Sequence, residues 1–249
     1  MTRGPGVPAA LLCALLLAGC HAAPAQPPQA PGDPFVATVQ RIEPSVVLFT
    51  LNVPSDDPKK KRRLEEAYGS GVAIASGAWG TEVLTVEHVV AGARDLRATL
   101  VGGKTVRARV VASDAKDDLA LVSLPERNVP VVTLGSSVDL EPGMAVGVAG
   151  FPIPDAFEDE KLGTKTSVFA GRVSSLRRDA VELDLPIIPG ESGGPVFDAR
   201  TGVVVALAES RFDEEKSIGF GIPIEDAKRF LRGRLHGERV ATSALKGSR

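Results

Sequence analysis

The chain has 249 residues, a net charge of −2 and 43% hydrophobic residues, which is ample apolar material for one core in a β domain. With 9 Phe, 1 Trp, 1 Tyr and no basic excess, it offers nucleic acid neither an electrostatic face nor a stacking platform. Its two cysteines, Cys13 and Cys20, both lie near the N-terminus, so a domain built from the remainder has no disulfide and relies on packing.

The N-terminus carries a basic Arg3, an apolar stretch broken by Pro8, the run Leu11 to Leu17, and then Ala18-Gly19-Cys20. This is too short for a membrane span, which needs about 20 apolar residues, and it suits the apolar core of a signal peptide. Leu17-Ala18-Gly19-Cys20 resembles the bacterial lipobox, which implies removal of residues 1–19 and acylation of Cys20; an ordinary secretory signal is the alternative. His21 after the cysteine, rather than Asp, leans toward outer-membrane sorting. Residues 21–34 read as a Pro/Ala linker that, at ~3.1 Å per residue, reaches ~40 Å.

Asp33 and Pro34 suit the N-cap and first turn of a helix carrying Phe35, Val36, Val39 and Ile42 on one face. Strands are expected at Ser45–Leu51, Gly71–Ala75, Leu96–Val101, Thr105–Ala112, Ala145–Gly150, Val181–Leu185, Gly202–Ala208 and Ser217–Pro223. Two further apolar runs read as strands, one ending at His88 and one following Asp118. A second helix carries Ile224, Ala227, Leu231 and Leu235, and residues 236–249 form a polar tail. This spacing predicts an all-β fold with short helices at either end.

Gly190-Glu191-Ser192-Gly193-Gly194-Pro195 suits a nucleophile on a tight turn, because glycines admit backbone angles that side chains forbid. The N–H groups of Gly190 and Ser192 could then converge on a developing oxyanion. A serine needs a base, and the base needs an orienting carboxylate. Of three histidines, His21 adjoins Cys20 and His236 lies in the tail, which leaves His88 at the end of a strand. Asp118, where a polar turn enters an apolar strand, is the carboxylate candidate. The order His, Asp, Ser is that of the chymotrypsin β-barrels, with His88 and Asp118 in one half of the chain and Ser192 in the other.

These segments resemble the trypsin-fold serine proteases of the HtrA/Deg type. Gly69-Ser70-Gly71 followed by Leu84-Thr85-Val86-Glu87-His88-Val89-Val90 is similar to the family's histidine box. Val110 to Asp114 with Asp118-Leu119-Ala120-Leu121 is similar to its aspartate box, and Ile218-Gly219-Phe220-Gly221-Ile222-Pro223 to its closing strand. The resemblance spans residues 35–235. It implies two six-stranded antiparallel β-barrels, the first over about residues 45–125 and the second over about 130–223. It also implies a peptidase triad of His88, Asp118 and Ser192 with no cofactor, acting on proteins or peptides. Together with the lipobox it implies a bacterial envelope protease anchored through Cys20 and facing the periplasm. The rival expectation is a lipoprotein of the same fold whose triad is latent and which binds or scaffolds.

Three features depart from the family pattern. Glu191 stands where these proteases usually have asparagine, the segment from Arg178 to Gly190 is short, and the residues after Leu235 are too few for the PDZ domain that many relatives append. By position, Pro186 and Ile187 line the first substrate pocket and Val205 lies on its opposite wall. With no carboxylate at the base, cleavage after small or medium aliphatic residues is expected, unless Asp184 enters the pocket. Gly102-Gly103-Lys104-Thr105 lacks the first glycine of a P-loop and reads as a hairpin turn. Lys59 to Arg63 and Asp213 to Glu215 read as solvated loops, and no cluster has metal-ligand spacing.

Overall fold

The computed structural model describes Met1 and residues 33–54, 64–209 and 218–236. The signal sequence, Cys20, most of the linker, the Lys59 to Arg63 and Asp213 to Glu215 loops and nearly all of the tail therefore lie outside the described residues.

Helix α1 (Pro34–Ile42) starts as its sequence dictates: the Asp33 side chain accepts from Phe35 N–H at 2.9 Å and Pro34 occupies the first turn. Its inward face differs from the expected one. Thr38 is fully buried and Val36 is 51% exposed, because positions 35, 38, 39 and 42 share a helical face and 36 does not. The helix docks on the second barrel, with Phe35 stacked on Phe197 at 6.1 Å and Thr38 Oγ1 donating to Arg200 O at 3.3 Å.

The first half builds a seven-stranded sheet from β1 (Val46–Pro54), β2 (Leu64–Gly77), β3 (Gly80–Thr85), β4 (Arg94–Leu100), β5 (Thr105–Arg107), β6 (Arg109–Asp114) and β7 (Leu119–Leu124), in the order β5-β4-β1-β2-β3-β7-β6. The strand expected over Thr105–Ala112 is broken at Ala108, whose N–H turns to Leu96 O at 2.9 Å. Its first half pairs with β4 and its second with β7, so the two edges of the sheet are consecutive pieces of one bent segment. That bend turns six strands into seven and curls the sheet. A one-turn helix α2 (Glu87–Val90) follows β3.

The second half closes into a six-stranded antiparallel barrel of β8 (Ala145–Gly150), β9 (Ser167–Leu176), β10 (Val181–Leu183), β11 (Pro195–Asp198), β12 (Val204–Glu209) and β13 (Gly219–Pro223), in the order β10-β13-β12-β11-β8-β9. A short helix α3 (Pro154–Asp159) follows β8. One core cluster fills this barrel, including Val148, Val173, Leu183 and Val196. The other cluster fills the first sheet and continues through Phe151, Phe197 and Leu207 into α4 (Ile224–Leu231). Ile224, Ala227, Phe230 and Leu231 of α4 thus complete the core of the first half; Phe230 joins the expected stripe. Beyond α4, His236 stacks on Trp79 at 4.5 Å and its N–H donates to the fully buried Glu82 at 3.1 Å. No helix among the described residues is long and apolar enough to cross a membrane.

Candidate active site

His88 is presented by α2 at the end of β3. Asp118 lies in the turn between β6 and β7, which the Asp114 carboxylate organises by accepting from Lys116 N–H at 3.0 Å. This turn puts Asp118 in the left-handed region (φ 47°), a conformation that Asp tolerates better than most residues. From there the carboxylate holds His88 at two points. Oδ1 accepts from His88 N–H at 2.8 Å and Oδ2 meets Nδ1 at 2.7 Å. With Nδ1 carrying the proton, Nε2 is left as the basic nitrogen. The bond to Asp118 raises the imidazole above its usual value of 6.5. Burial opposes this, while the charges of Asp118, Glu209 and Glu87 add to it.

Ser192 is 6% exposed on the turn before β11. The turn is held from both halves of the molecule. Ser70 of β2 donates its N–H to Ser192 O at 2.9 Å and its hydroxyl to Gly190 O at 2.7 Å, and that hydroxyl accepts from Phe151 N–H at 3.0 Å. Thr85 Oγ1, three residues before His88, closes the set by donating to Ser70 O at 2.7 Å. Gly193 (φ 86°) fits only because it has no side chain: a Cβ there would stand 2.2 Å from Thr85 Oγ1 and 2.3 Å from Ser70 O. Gly190 (φ 98°) is confined in the same way by Phe151 O at 2.3 Å.

Within this turn Glu191 N–H donates to Ile188 O, Gly193 N–H to Ala208 O and Gly194 N–H to Glu191 O. The N–H groups of Gly190 and Ser192 donate to no acceptor among the described residues. Two amides without an acceptor among the described residues, two positions apart beside a serine hydroxyl, are the kind of donors that an oxyanion requires. The Ser192 hydroxyl itself makes no hydrogen bond among the described residues, so the His88–Asp118 pair is closed while the Ser192–His88 link is open. Catalytic hydrogen bonds are often looser before substrate binds.

Of the residues expected around the first pocket, Pro186 is half-buried, whereas Ile187 and Val205 are 9% and 3% exposed and belong to the core of the second barrel. The part of β12 that lies against the Ser192 turn is Ala208, whose N–H donates to Gly194 O at 2.8 Å. Asp184 is committed elsewhere: its Oδ1 accepts from Arg172 N–H of β9 at 2.5 Å. Ser70, Thr85 and Glu209 are site features to which no local sequence pattern assigns a role. The flanking Gly69 and Gly71 were the only signal for Ser70. No group of three or more His, Cys, Asp or Glu side chains among the described residues is placed to hold a metal ion.

A paired His and Asp set against a serine on a glycine-rich turn, on two β halves, defines the serine peptidases of the trypsin class. The description "Trypsin-like peptidase domain" matches residues 69–207. The putative serine protease HhoB of Synechocystis sp. is 32% identical over 199 residues, 73% of this chain and 44% of that protein. A probable periplasmic serine endoprotease, DegP-like, of Hahella chejuensis is 32% identical over 69% of this chain and 36% of its own length. Among solved structures, the HtrA-type protease AlgW with tripeptide superposes with a TM-score of 0.66 at 26% identity, over 82% of this chain and 64% of that one. The serine endoprotease from Yersinia pestis gives 0.64 at 26% identity, over 82% and 67%. The chain belongs to the trypsin-like peptidase family and, within it, to the HtrA-like trypsin-fold serine proteases. It spans less than half the length of these two curated relatives.

Proposed function

We propose that this chain is a serine endopeptidase of the bacterial cell envelope, with Ser192 as nucleophile, His88 as general base and then acid, and Asp118 as the group that orients His88. The observation that carries the reading is the two-point grip of Asp118 on His88, at 2.8 and 2.7 Å, beside a serine turn with two amides that are unengaged among the described residues. Ser192 Oγ attacks the scissile carbonyl carbon while His88 Nε2 takes its proton. The carbonyl electrons move onto oxygen, where Gly190 and Ser192 N–H receive them. As the tetrahedral species collapses, the C–N bond breaks and the leaving amine takes the proton from His88. Water, deprotonated by His88, then hydrolyses the acyl-enzyme. Each oxyanion donor is worth ~10² to 10³ in rate.

The periplasmic naming of the DegP-like relatives supports an envelope location. The lipobox resemblance supports a lipid anchor at Cys20, facing the periplasm from the outer membrane. The peptide in the AlgW structure supports peptide substrates, and the absence of a carboxylate at Pro186 supports cleavage after small or medium aliphatic residues. The latent reading, a binding or scaffold lipoprotein, is favoured by one observation: the Ser192 hydroxyl is not bonded to His88.

Fluorophosphonate labelling separates the two. An active triad labels at Ser192, and Ser192→Ala abolishes both labelling and casein cleavage with the fold intact. Wild-type protein that never labels makes the latent reading correct.

A further inference from the structure

Glu191 stands between the two amides assigned to the oxyanion and is fully buried. Its side chain and main chain close the same turn from both directions: Oε2 accepts from Ile188 N–H at 2.7 Å while Glu191 N–H donates to Ile188 O at 2.9 Å. Its second carboxyl oxygen, Oε1, is buried with no hydrogen-bond partner among the described residues. From β8 the neighbour is Gly150, where an added Cβ would stand 3.0 Å from Glu191 Cα and 3.0 Å from Ser70 Oγ of β2; neither residue titrates. Among the described residues no charged side chain shifts the group. Burial pushes its carboxyl up to about 7, opposed only by the Ile188 N–H. The charges acting on His88 are those of Asp118, Glu209 and Glu87, not Glu191.

A carboxylate in this place would be a desolvated anion with one hydrogen bond, and it would set a negative charge beside the spot where the oxyanion forms. The neutral acid suits both the burial and the chemistry. Resting on the reading of Ser192 as nucleophile, we infer that Glu191 is a positioning residue. Its neutral carboxyl locks the turn from Ile188 to Glu191, and with it the amides of Gly190 and Ser192, and loss of its proton to solvent unlocks the turn. The site is then bounded on the acid side by His88 protonation and on the alkaline side by Glu191 ionisation.

The test is the pH profile of kcat and of KM for peptide cleavage by the full chain, from about pH 5 to about pH 9, for wild type, Glu191→Gln and Glu191→Ala. Gln keeps an acceptor for Ile188 N–H and removes the titration. Wild type should give a bell. Glu191→Gln should keep the rising limb and lose the fall. Glu191→Ala, which removes the clamp, should lower kcat by ~10-fold or more at every pH with KM little changed, because an oxyanion donor acts chiefly in the transition state. A Glu191→Gln profile that follows wild type through the alkaline limb overturns the inference.

Thermal unfolding gives a second readout that needs no turnover. The folded carboxyl titrates near 7 and the unfolded one near 4.5, so the unfolded state loses its proton first. Wild type should therefore lose Tm relative to Glu191→Gln as pH climbs through that window, and the gap should level off above it. Parallel Tm curves overturn the clamp even if substrate is cleaved. A Tm gap that moves with pH in a protein that never labels at Ser192 sustains the clamp and removes only the peptidase reading.

Discussion

The two halves of the site are secured in different ways. On the first half, His88 is held by direct contact with a single charged partner, and its side chain is 46% exposed, so solvent shares in setting its charge. On the second half, the only titratable side chain within the Ser192 turn is the buried Glu191, and no other charged group among the described residues is bonded to that turn. That turn is shaped by main-chain bonds, two positive-φ glycines and the reach of Ser70 from β2. His88 is thus tuned by electrostatics and the Gly190 and Ser192 amides by geometry, and perturbations of the two should look different.

The sharpest way to break this contrast is Asp118→Asn. It keeps the shape but lets the amide favour the wrong His88 tautomer, and kcat should fall by ~10⁴ with the fold retained, read by steady-state cleavage and circular dichroism. A fall of only a few-fold would mean that the Asp118 charge is not what prepares His88.

Ser70→Ala attacks the geometric half without touching any charge. It removes the hydroxyl that serves Gly190 O and Phe151 N–H and leaves buried groups unpaired, which costs about 1–3 kcal/mol for such a group. Denaturant unfolding should show this loss. The kcat should fall by about 10-fold, while the acid limb of the pH profile stays where it was.

That acid limb sharpens the comparison further. His88 must be neutral to act, and Asp118 raises its pKa, so kcat/KM should fall tenfold per pH unit below a midpoint above 6.5. The stability contribution has the opposite sign: it is fully present below the unfolded value and is lost as pH rises through the folded one. An acid midpoint at or below 6.5 would say that burial outweighs the Asp118 bond. The smallest expected effect is that of Asp33→Ala, which removes the cap of α1 and costs ~1 kcal/mol by thermal unfolding, with no change in kcat.

Much of this arrangement is legible in the sequence where the signal is local. The alternating and apolar runs located most strands, and Asp33-Pro34 located the start of α1. Two strands escaped. β9 is mostly half-exposed or exposed, so its alternation is weak, and β11 is four residues long and begins with a proline directly after the nucleophile motif. The bend at Ala108 depends on a bond to another strand, which no local pattern reports. The role of Ser70 was hidden for the same reason, since Gly190 lies 120 residues away. Glu191 is visible as a departure, but a glutamate is ordinarily a surface residue, and only the fold, with Gly150 of β8 close against it, shows its burial.

The place of α4 bears on how the molecule comes to be folded. Its residues Ile224, Ala227, Phe230 and Leu231 belong to the same core as β1 to β7, although the whole second barrel lies between them in the chain. During synthesis, the first sheet emerges long before the helix that seals it. Contacts so distant in sequence form slowly and late. The His88–Asp118 side of the site therefore acquires its final support only when the last turn of α4 is free, and an incompletely delivered chain lacks a finished peptidase.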